Sequence, residues 1–457
     1  MRVRLNRIAV VAVVALVVLA AAVLQVPPGQ GTQEDAGTDR CPVTTTAVER
    51  TDGRSGLAMD DRALAPAGWG AGVDEGHSVI GSDPVSVGSN ATTTESDPVS
   101  VGVIDADFAS NHPSLSGQVA DHRRFGATAG GTAHGTAVAG VVGNTLPSSN
   151  LYLASVGGET TGEDYSEAVS WLLANDVDVI VDAGSYFPRS TPTARPMRHA
   201  TRRAVDEGVV FVTSAGNYRR QHWTGTGTTD GWVTFDEDEN VQANALANGE
   251  RFAGRVSLRL SWNSSADYDL YLYRYRPDDE HAVVAKSTDR ERGTGGAIEA
   301  IDVSVPRGRY FAAAYAHDGA PAAGEVELFA AHHRLEYYSP NGSVVASSSV
   351  EGVIVVGAYA PANDSVAPYS SRGGNDTEVD LVAPERATVV RLGTIRGTSA
   401  AVPYVAGTAA MIKSRDRGIS PVRVERILES TANRGRLDPD EAIVAVGSHG
   451  NASARPP

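Results

Sequence analysis

The chain predicts an α/β fold of three layers around a mainly parallel sheet, interrupted by an inserted all-β domain that reads as a small sandwich. Three observations carry this. From residue 100 to 217, short apolar runs alternate with segments of helix length. Strands separated in this way by helices favour a parallel sheet covered on both faces. Between 219 and 345 the rhythm stops: aromatic, alternating runs stand between turn residues, and helix signals are poor, which suits a sandwich. From Ile354 the first rhythm resumes and closes in helices.

The elements follow in order. Val101–Ile104 is a short apolar strand bounded by Pro98 and Asp105. His134–Gly143 is a helix of small residues, and Leu151–Val156 a second strand. Glu163–Asn175 is an amphipathic helix carrying Trp171 and Leu172, followed by a strand at Asp178–Val181. Met197–Glu207 is a helix opened by Pro196, and Val209–Thr213 returns to the sheet. In the β segment, Val256–Trp262, Asp269–Tyr275 and Tyr310–Tyr315 read as strands. Ile354–Gly357 resumes the sheet, and helices are expected at Ser399–Lys413, Pro421–Thr431 and Asp438–Val446. The expected organisation is residues 1–25 as export segment, 26–58 as linker or prosegment, 59–218 and 346–446 as two parts of one α/β domain, 219–345 as the β insert, and 447–457 as a flexible tail. A heptapeptide, SDPVSVG, occurs at Ser82–Gly88 and again at Ser96–Gly102, the second copy leading straight into the Asp105 strand.

Composition narrows the classes of function. The 457 residues carry a formal charge of −16, which disfavours nucleic acid as a partner. Lys286 and Lys413 are the only lysines, so nearly all the basic side chains are arginine. Adaptation to high salt and a GC-rich coding bias both fit that pattern. With Cys41 as the only cysteine there is no intrachain disulfide. Arg2, Arg4 and Arg7 precede an unbroken apolar run, Ile8 to Leu24, with Ala20 and Ala22 as small residues for cleavage. This segment reads either as a signal peptide or as a membrane anchor through residues 8–24. Both place the bulk of the chain extracellularly or on the outer face of the cell membrane. Six N-x-Ser/Thr sequons, at Asn90, Asn263, Asn341, Asn363, Asn375 and Asn451, fit that location.

The chemistry centres on GTSAAVPYVAG, Gly397 to Gly407. Ser399 opens a small-residue helix, so its hydroxyl lies beside free backbone N–H groups and the positive end of the helix dipole. Upstream stand Asp105 in SVGVIDADF, His134 in GTAHGTAVAG and Asn217 in VTSAGN. Asp105 ends an apolar strand and Asn217 follows one, the usual location of functional groups in open α/β sheets. Asp, His, Ser is the chain order of one of the three common serine-hydrolase triads.

With these motifs, and with APYSSRGG (Ala367–Gly374) and VDLVAPE (Val379–Glu385) before the serine, the chain resembles the subtilisin-like serine proteases over roughly residues 60–218 and 346–446. The resemblance implies a subtilisin-like fold and a secreted serine endopeptidase. Ser399 is then the nucleophile, His134 the general base and acid, Asp105 the carboxylate that orients it, and Asn217 the oxyanion donor. The His134-to-Ser399 separation exceeds what the family pattern needs by about the length of a small β domain. Substrate walls are expected from Ser155 and Gly157 on one side and Ala183, Gly184, Ser185 and Gly216 on the other, with Tyr186 filling part of a specificity pocket.

Two departures stand out. Asp-Ala-Asp, Asp105 to Asp107, replaces the family's Asp followed by a small hydroxyl residue and glycine, and adds a carboxylate whose role the sequence leaves open. Asp182-Ala183-Gly184-Ser185-Tyr186 replaces the usual Ser-Leu-Gly-Gly type of edge. No cofactor is required for the chemistry, and no zinc, phosphate or dinucleotide motif is present. The family often holds structural calcium; the acidic run Asp236–Asn240 and the Asp267/Asp269 pair are rich enough in carboxylate but lack a loop pattern. The expected partners are protein or peptide substrates, and the expected state is a monomer. The competing reading is a catalytically weak protease scaffold that acts as a surface binding or adhesion protein through the β insert.

Overall fold

A computed structural model describes residues 41–42, 48–49, 98–127, 130–277, 281–288, 297–317, 324–345, 350–374 and 377–450. The signal-or-anchor segment, most of the linker or prosegment, the first copy of the heptapeptide and residues 451–457 lie outside them. Among the described residues no helix is long and apolar enough to cross a membrane. The chain divides into two compact units, one formed by Arg40–Phe187, Thr193–Asn217 and Val344–Pro457, the other by Pro188–Pro192 and Tyr218–Ser343.

The first unit is built on a sheet whose strands are nearly all parallel. In chain order these are β1 (Ser100–Asp105), β2 (Val119–Arg124), β3 (Asn150–Ser155), β4 (Val179–Asp182), β5 (Val210–Ser214), β6 (Val353–Ala360) and β7 (Leu381–Pro384). Across the sheet the order is β6-β5-β4-β1-β3-β2, with β7 beside β6 and the short Ser365–Val366 antiparallel to it. The helices are α1 (Thr132–Thr145), α2 (Gly162–Ala174), α3 (Thr191–Asp206), α4 (Thr398–Arg415), α5 (Pro421–Thr431) and α6 (Pro439–Gly450). A hairpin of Arg386–Val389 and Gly393–Arg396 leads into α4.

Each central strand is apolar on both faces, so two cores form. Val101, Val103, Val179, Val181, Val210 and Val212 pack on one side against α1, α4, α5 and α6. Ile104, Ile180, Phe211, Val353 and Val355 pack on the other against α2 and α3. This is the arrangement that continuous Val/Ile runs between helices require. α4 and α1 can approach closely because both are rich in Ala, Gly, Val and Thr, which make up most of their buried residues.

The second unit contains strands and one 3₁₀ turn among its described elements. Ala297–Gly308, Phe252–Trp262, Glu325–Ala330 and His222–Thr226 form one antiparallel sheet in that order. Tyr310–Ala316 and Tyr268–Arg274 centre a second antiparallel sheet. Leu258, Leu260 and Trp262 from the first share one core with Leu270, Leu272, Ala312 and Ala314 from the second, which is sandwich packing.

Several elements differ from expectation. α3 begins at Thr191, six residues before the expected Met197, and Pro196 lies inside it. Pro192 supplies a preset φ in the first turn, so Pro196 costs one hydrogen bond to an early carbonyl rather than starting the helix. The closing helix runs to Gly450, so residues 447–450 are helical rather than tail. β2 was not expected, because its residues are mostly polar and lie at the sheet edge. Pro188–Pro192 groups with the second unit although it precedes that unit by 26 positions in sequence.

Asp380, Glu425 and Glu429 bring carboxylate oxygens within 4.8 Å of one another. Burial, with repulsion from Asp380, Glu429 and Glu351, raises the pKa of Glu425 to about 7, and burial raises that of Asp380 to about 6. Both values lie above those of the unfolded chain, so the folded state binds the extra protons. Stability is therefore lost as pH rises from about 4 through 7. Glu425→Gln is expected to raise the melting temperature at pH 8 and to change it little at pH 4. The gain corresponds to roughly 1–2 kcal/mol once solvent screening of a half-buried group is allowed for. Thermal melts of both proteins across pH 4–8 check this; parallel curves would refute it.

Candidate active site

The site is assembled at the carboxyl ends of β1, β4 and β5 and the first turns of α1 and α4. Asp105, the last residue of β1, is fully buried. Its Oδ1 accepts from the Ala106 N–H at 2.8 Å, and its Oδ2 lies 2.7 Å from His134 Nδ1. His134 is the third residue of α1 and only 4% exposed. With Nδ1 held by the carboxylate, Nε2 is buried and has no hydrogen-bond partner.

Gly135 explains how α1 comes so near. A Cβ there would stand 2.5 Å from the Asp107 carbonyl oxygen and 2.8 Å from Asp105 Cβ. The Ala109 N–H also donates to Thr136 Oγ1 at 2.9 Å, so residues 105–109 wrap the first turn of α1.

Ser399 is the second residue of α4 and nearly buried. Its hydroxyl donates to the Ala183 carbonyl at 3.1 Å. Gly397 precedes the helix at φ +109, and a Cβ there would lie 2.9 Å from Asn217 Nδ2. Glycine is thus required twice over, by conformation and by space. Asn217 turns its carboxamide oxygen to Thr398, accepting from the backbone N–H at 3.1 Å and from Oγ1 at 3.2 Å. Thr398 Oγ1 also lies 2.7 Å from Ser214 Oγ, which accepts from the Gly216 N–H at 3.1 Å. A relay from β5 to α4 therefore fixes the asparagine beside the serine.

The structure thus pairs Asp105 with His134 and sets Asn217 against the residue before Ser399. The expected substrate walls divide. Ala183, Gly184 and Ser185 follow β4, and Ala183 already touches Ser399. Gly216 is committed by both backbone groups, its carbonyl accepting from the Ser371 N–H at 2.9 Å. Gly157 donates its N–H to the Ala106 carbonyl at 2.9 Å. Ser155 departs from expectation. Its side chain is fully buried, donating to Asp107 Oδ1 at 2.9 Å, with His122 Nε2 at 2.8 Å. Tyr186 also turns inward. Its ring meets Tyr165 edge-on at 5.1 Å, and its hydroxyl donates to Asp182.

Asp182 is the residue that sequence reasoning missed. Its carboxylate accepts from Tyr165 at 2.6 Å, from Tyr186 at 3.0 Å and from the Gly184 N–H at 3.1 Å, so it shapes the 183–186 segment. Burial raises its pKa to about 7 against the lowering by these three donors, and Asp105 adds a further push upward. Its signal was an acid closing an otherwise apolar strand, where only a partnered carboxylate survives.

Asp236 Oδ1 accepts from the Glu239 N–H, and Asp269 is engaged by Tyr271 and His317. The acidic groups that converge are instead Asp380, Glu425 and Glu429 in the first unit. Gly135→Ala is expected to keep the fold but cost about 1–3 kcal/mol by forcing α1 off β1. Denaturant unfolding measures this, and a change below about 0.5 kcal/mol would contradict the close approach.

The subtilase family model matches residues 96–253 and 260–447. Among solved structures, the CspB protease of Clostridium perfringens is 16% identical with a TM-score of 0.56, the match covering 77% of this chain and 93% of that one. The nisin leader peptidase NisP of Lactococcus lactis is also 16% identical, covering 76% and 88%, with a TM-score of 0.42. No curated protein matches the chain in sequence. A family model spanning both halves of the α/β unit, on a fold shared with a solved protease, establishes that the chain belongs to the subtilase family of serine peptidases.

Proposed function

We propose that the protein is an active, extracytoplasmic serine endopeptidase. The observation that carries this is the His134 imidazole. One nitrogen is bound to a buried carboxylate at 2.7 Å, while the other is buried without a partner in the fold where Ser399 opens α4. A buried ring nitrogen left unpartnered costs stability, a cost that a partner arriving with substrate would remove.

In this reading Asp105 fixes the tautomer with the proton on Nδ1, leaving Nε2 as acceptor. Ser399 donates to Ala183 in the resting arrangement, so it must first exchange that acceptor for Nε2. Contacts of this kind commonly tighten only once substrate is bound. A peptide whose backbone N–H pairs with the Ala183 carbonyl displaces the hydroxyl toward the imidazole. Ser399 Oγ then attacks the scissile carbonyl, and His134 takes the hydroxyl proton and returns it to the leaving amine. Water, deprotonated by the same imidazole, releases the acyl group. Asn217 Nδ2 and the Ser399 N–H stabilise the oxyanion, with the amide oriented through its oxygen by Thr398. The basic, apolar segment 1–25 supports an extracytoplasmic location.

Casein hydrolysis and fluorophosphonate labelling test the reading. Wild type is expected to cut casein and to be labelled at Ser399. Ser399→Ala is expected to lose labelling and about 10⁴-fold or more of turnover. Asn217→Ala is expected to be labelled but slower by about 10²–10³-fold. A wild type that binds peptides but is neither labelled nor active would favour the adhesion reading. Equal activity in wild type and Ser399→Ala would remove the nucleophile.

A further inference from the structure

Asp107 lies two residues from Asp105, is 2% exposed, and has no part in the reaction above. Its Oδ1 accepts from the Phe108 N–H at 2.9 Å and from Ser155 Oγ at 2.9 Å; its Oδ2 lies 2.6 Å from Arg124 Nη2. Two neutral donors therefore hold the carboxylate in place, and one cation answers its charge. Arg124 ends β2 and is roughly half exposed. His122, on the same strand, approaches Asp107 only to 4.0 Å. Burial lowers its proton affinity, Asp107 pulls the other way, and Arg124 lowers it again.

We propose that Arg124 is a positioning residue acting on charge: by pairing Asp107, it keeps a second carboxylate from raising the proton affinity of His134. The reach is short. Gly135, next to His134, lies against the Asp107 carbonyl, and the 105–109 segment encloses the first turn of α1. The groups facing His134 are then Asp105 at the end of β1, Asp107 after it with Arg124 and His122 from β2, and Asp182 of β4. Asp182 feels the Asp105 charge and accepts from the hydroxyls of Tyr165 and Tyr186. Asp105 is balanced by the imidazole itself, and Asp182 by two phenols. Asp107 is balanced only by Arg124. Without that cation, a buried negative charge near the base favours the imidazolium, and a general base that is already protonated cannot take the serine proton.

The inference rests on His134 being the base, and the test separates the two ideas. The pH midpoint of the His134 ring signals is followed by NMR in full-length Ser399→Ala protein, where no activity is needed. Arg124→Gln added to this background is expected to raise the midpoint by roughly half to one pH unit. Adding Asp107→Asn as well is expected to return it to the starting value. Arg124→Lys, which keeps the charge, is expected to leave it unchanged. Asp107→Asn alone is expected to move it slightly down, and this variant carries the test if Arg124→Gln does not fold. In the active protein, the acid limb of kcat/KM in Arg124→Gln is expected to move upward by the same interval, with the alkaline plateau within about twofold of wild type. An unmoved midpoint in Arg124→Gln, or one that Asp107→Asn fails to restore, overturns the proposal. A moved midpoint in a protein without peptidase activity sustains it and removes the functional reading instead.

Discussion

The fold is organised around holding one imidazole between a buried carboxylate and an empty acceptor position. Asp105 is fully buried, and a carboxylate there is tolerable only with close, directed partners. The Ala106 N–H and the His134 ring supply them. That pairing needs the first turn of α1 to lie almost on the end of β1, which Gly135 permits and any larger residue would prevent. The small-residue composition of α1 and α4 follows from the same demand, because two helices that converge on one strand end cannot carry bulky side chains between them.

Three acids gather at this end of the sheet, each with a different partner. Asp105 has an imidazole, Asp107 a guanidinium and Asp182 two phenols with a backbone N–H. The partners set their behaviour. A guanidinium is permanently charged, so the contact of Arg124 with Asp107 is a fixed pair. Phenols donate without charge, so burial dominates at Asp182 and lifts its pKa to about 7. An imidazole can both donate and accept a proton, which sets the Asp105 pair apart from the other two. Differences in partner chemistry thus divide one acidic neighbourhood into an ion pair, a shaping group for residues 183–186 and the couple we propose to be reactive.

What the sequence made legible was whatever local pattern dictates. The apolar strands, the helices after His134 and Ser399, and the glycines at 135 and 397 follow from composition and spacing that leave few alternatives. The motifs around Asp105, His134, Asn217 and Ser399 were readable because their small neighbours are needed for close packing. What escaped notice depends on distant pairing. β2 has an exposed, polar face and takes its strand character from β3 alone. Ser155 looked like a wall residue, since nothing in its own segment reveals that Asp107 and His122 claim its hydroxyl. Tyr186 looked like a pocket filler, because its partner Tyr165 lies one helix away. The start of α3 was missed for a local reason, a proline read as a boundary where an earlier one had already set the turn.

The resting contact of Ser399 bears on how much the site must rearrange. A hydroxyl at the start of α4 has one proton to give, and the Ala183 carbonyl receives it. Moving that proton to His134 Nε2 exchanges one buried hydrogen bond for another, so the net difference is small against the roughly 1 kcal/mol that such a bond contributes. The greater cost falls on Ala183. Left empty, its carbonyl would be a buried acceptor without a donor, at a cost of about 1–3 kcal/mol. A peptide N–H arriving there removes that penalty in the same event that frees the hydroxyl. In the proposed reaction, substrate binding and activation of the nucleophile are then coupled through a single backbone oxygen, in a segment that Asp182 holds through the Gly184 N–H. In that reading the acid at the end of β4 acts on the serine through residues 183 and 184, without touching it.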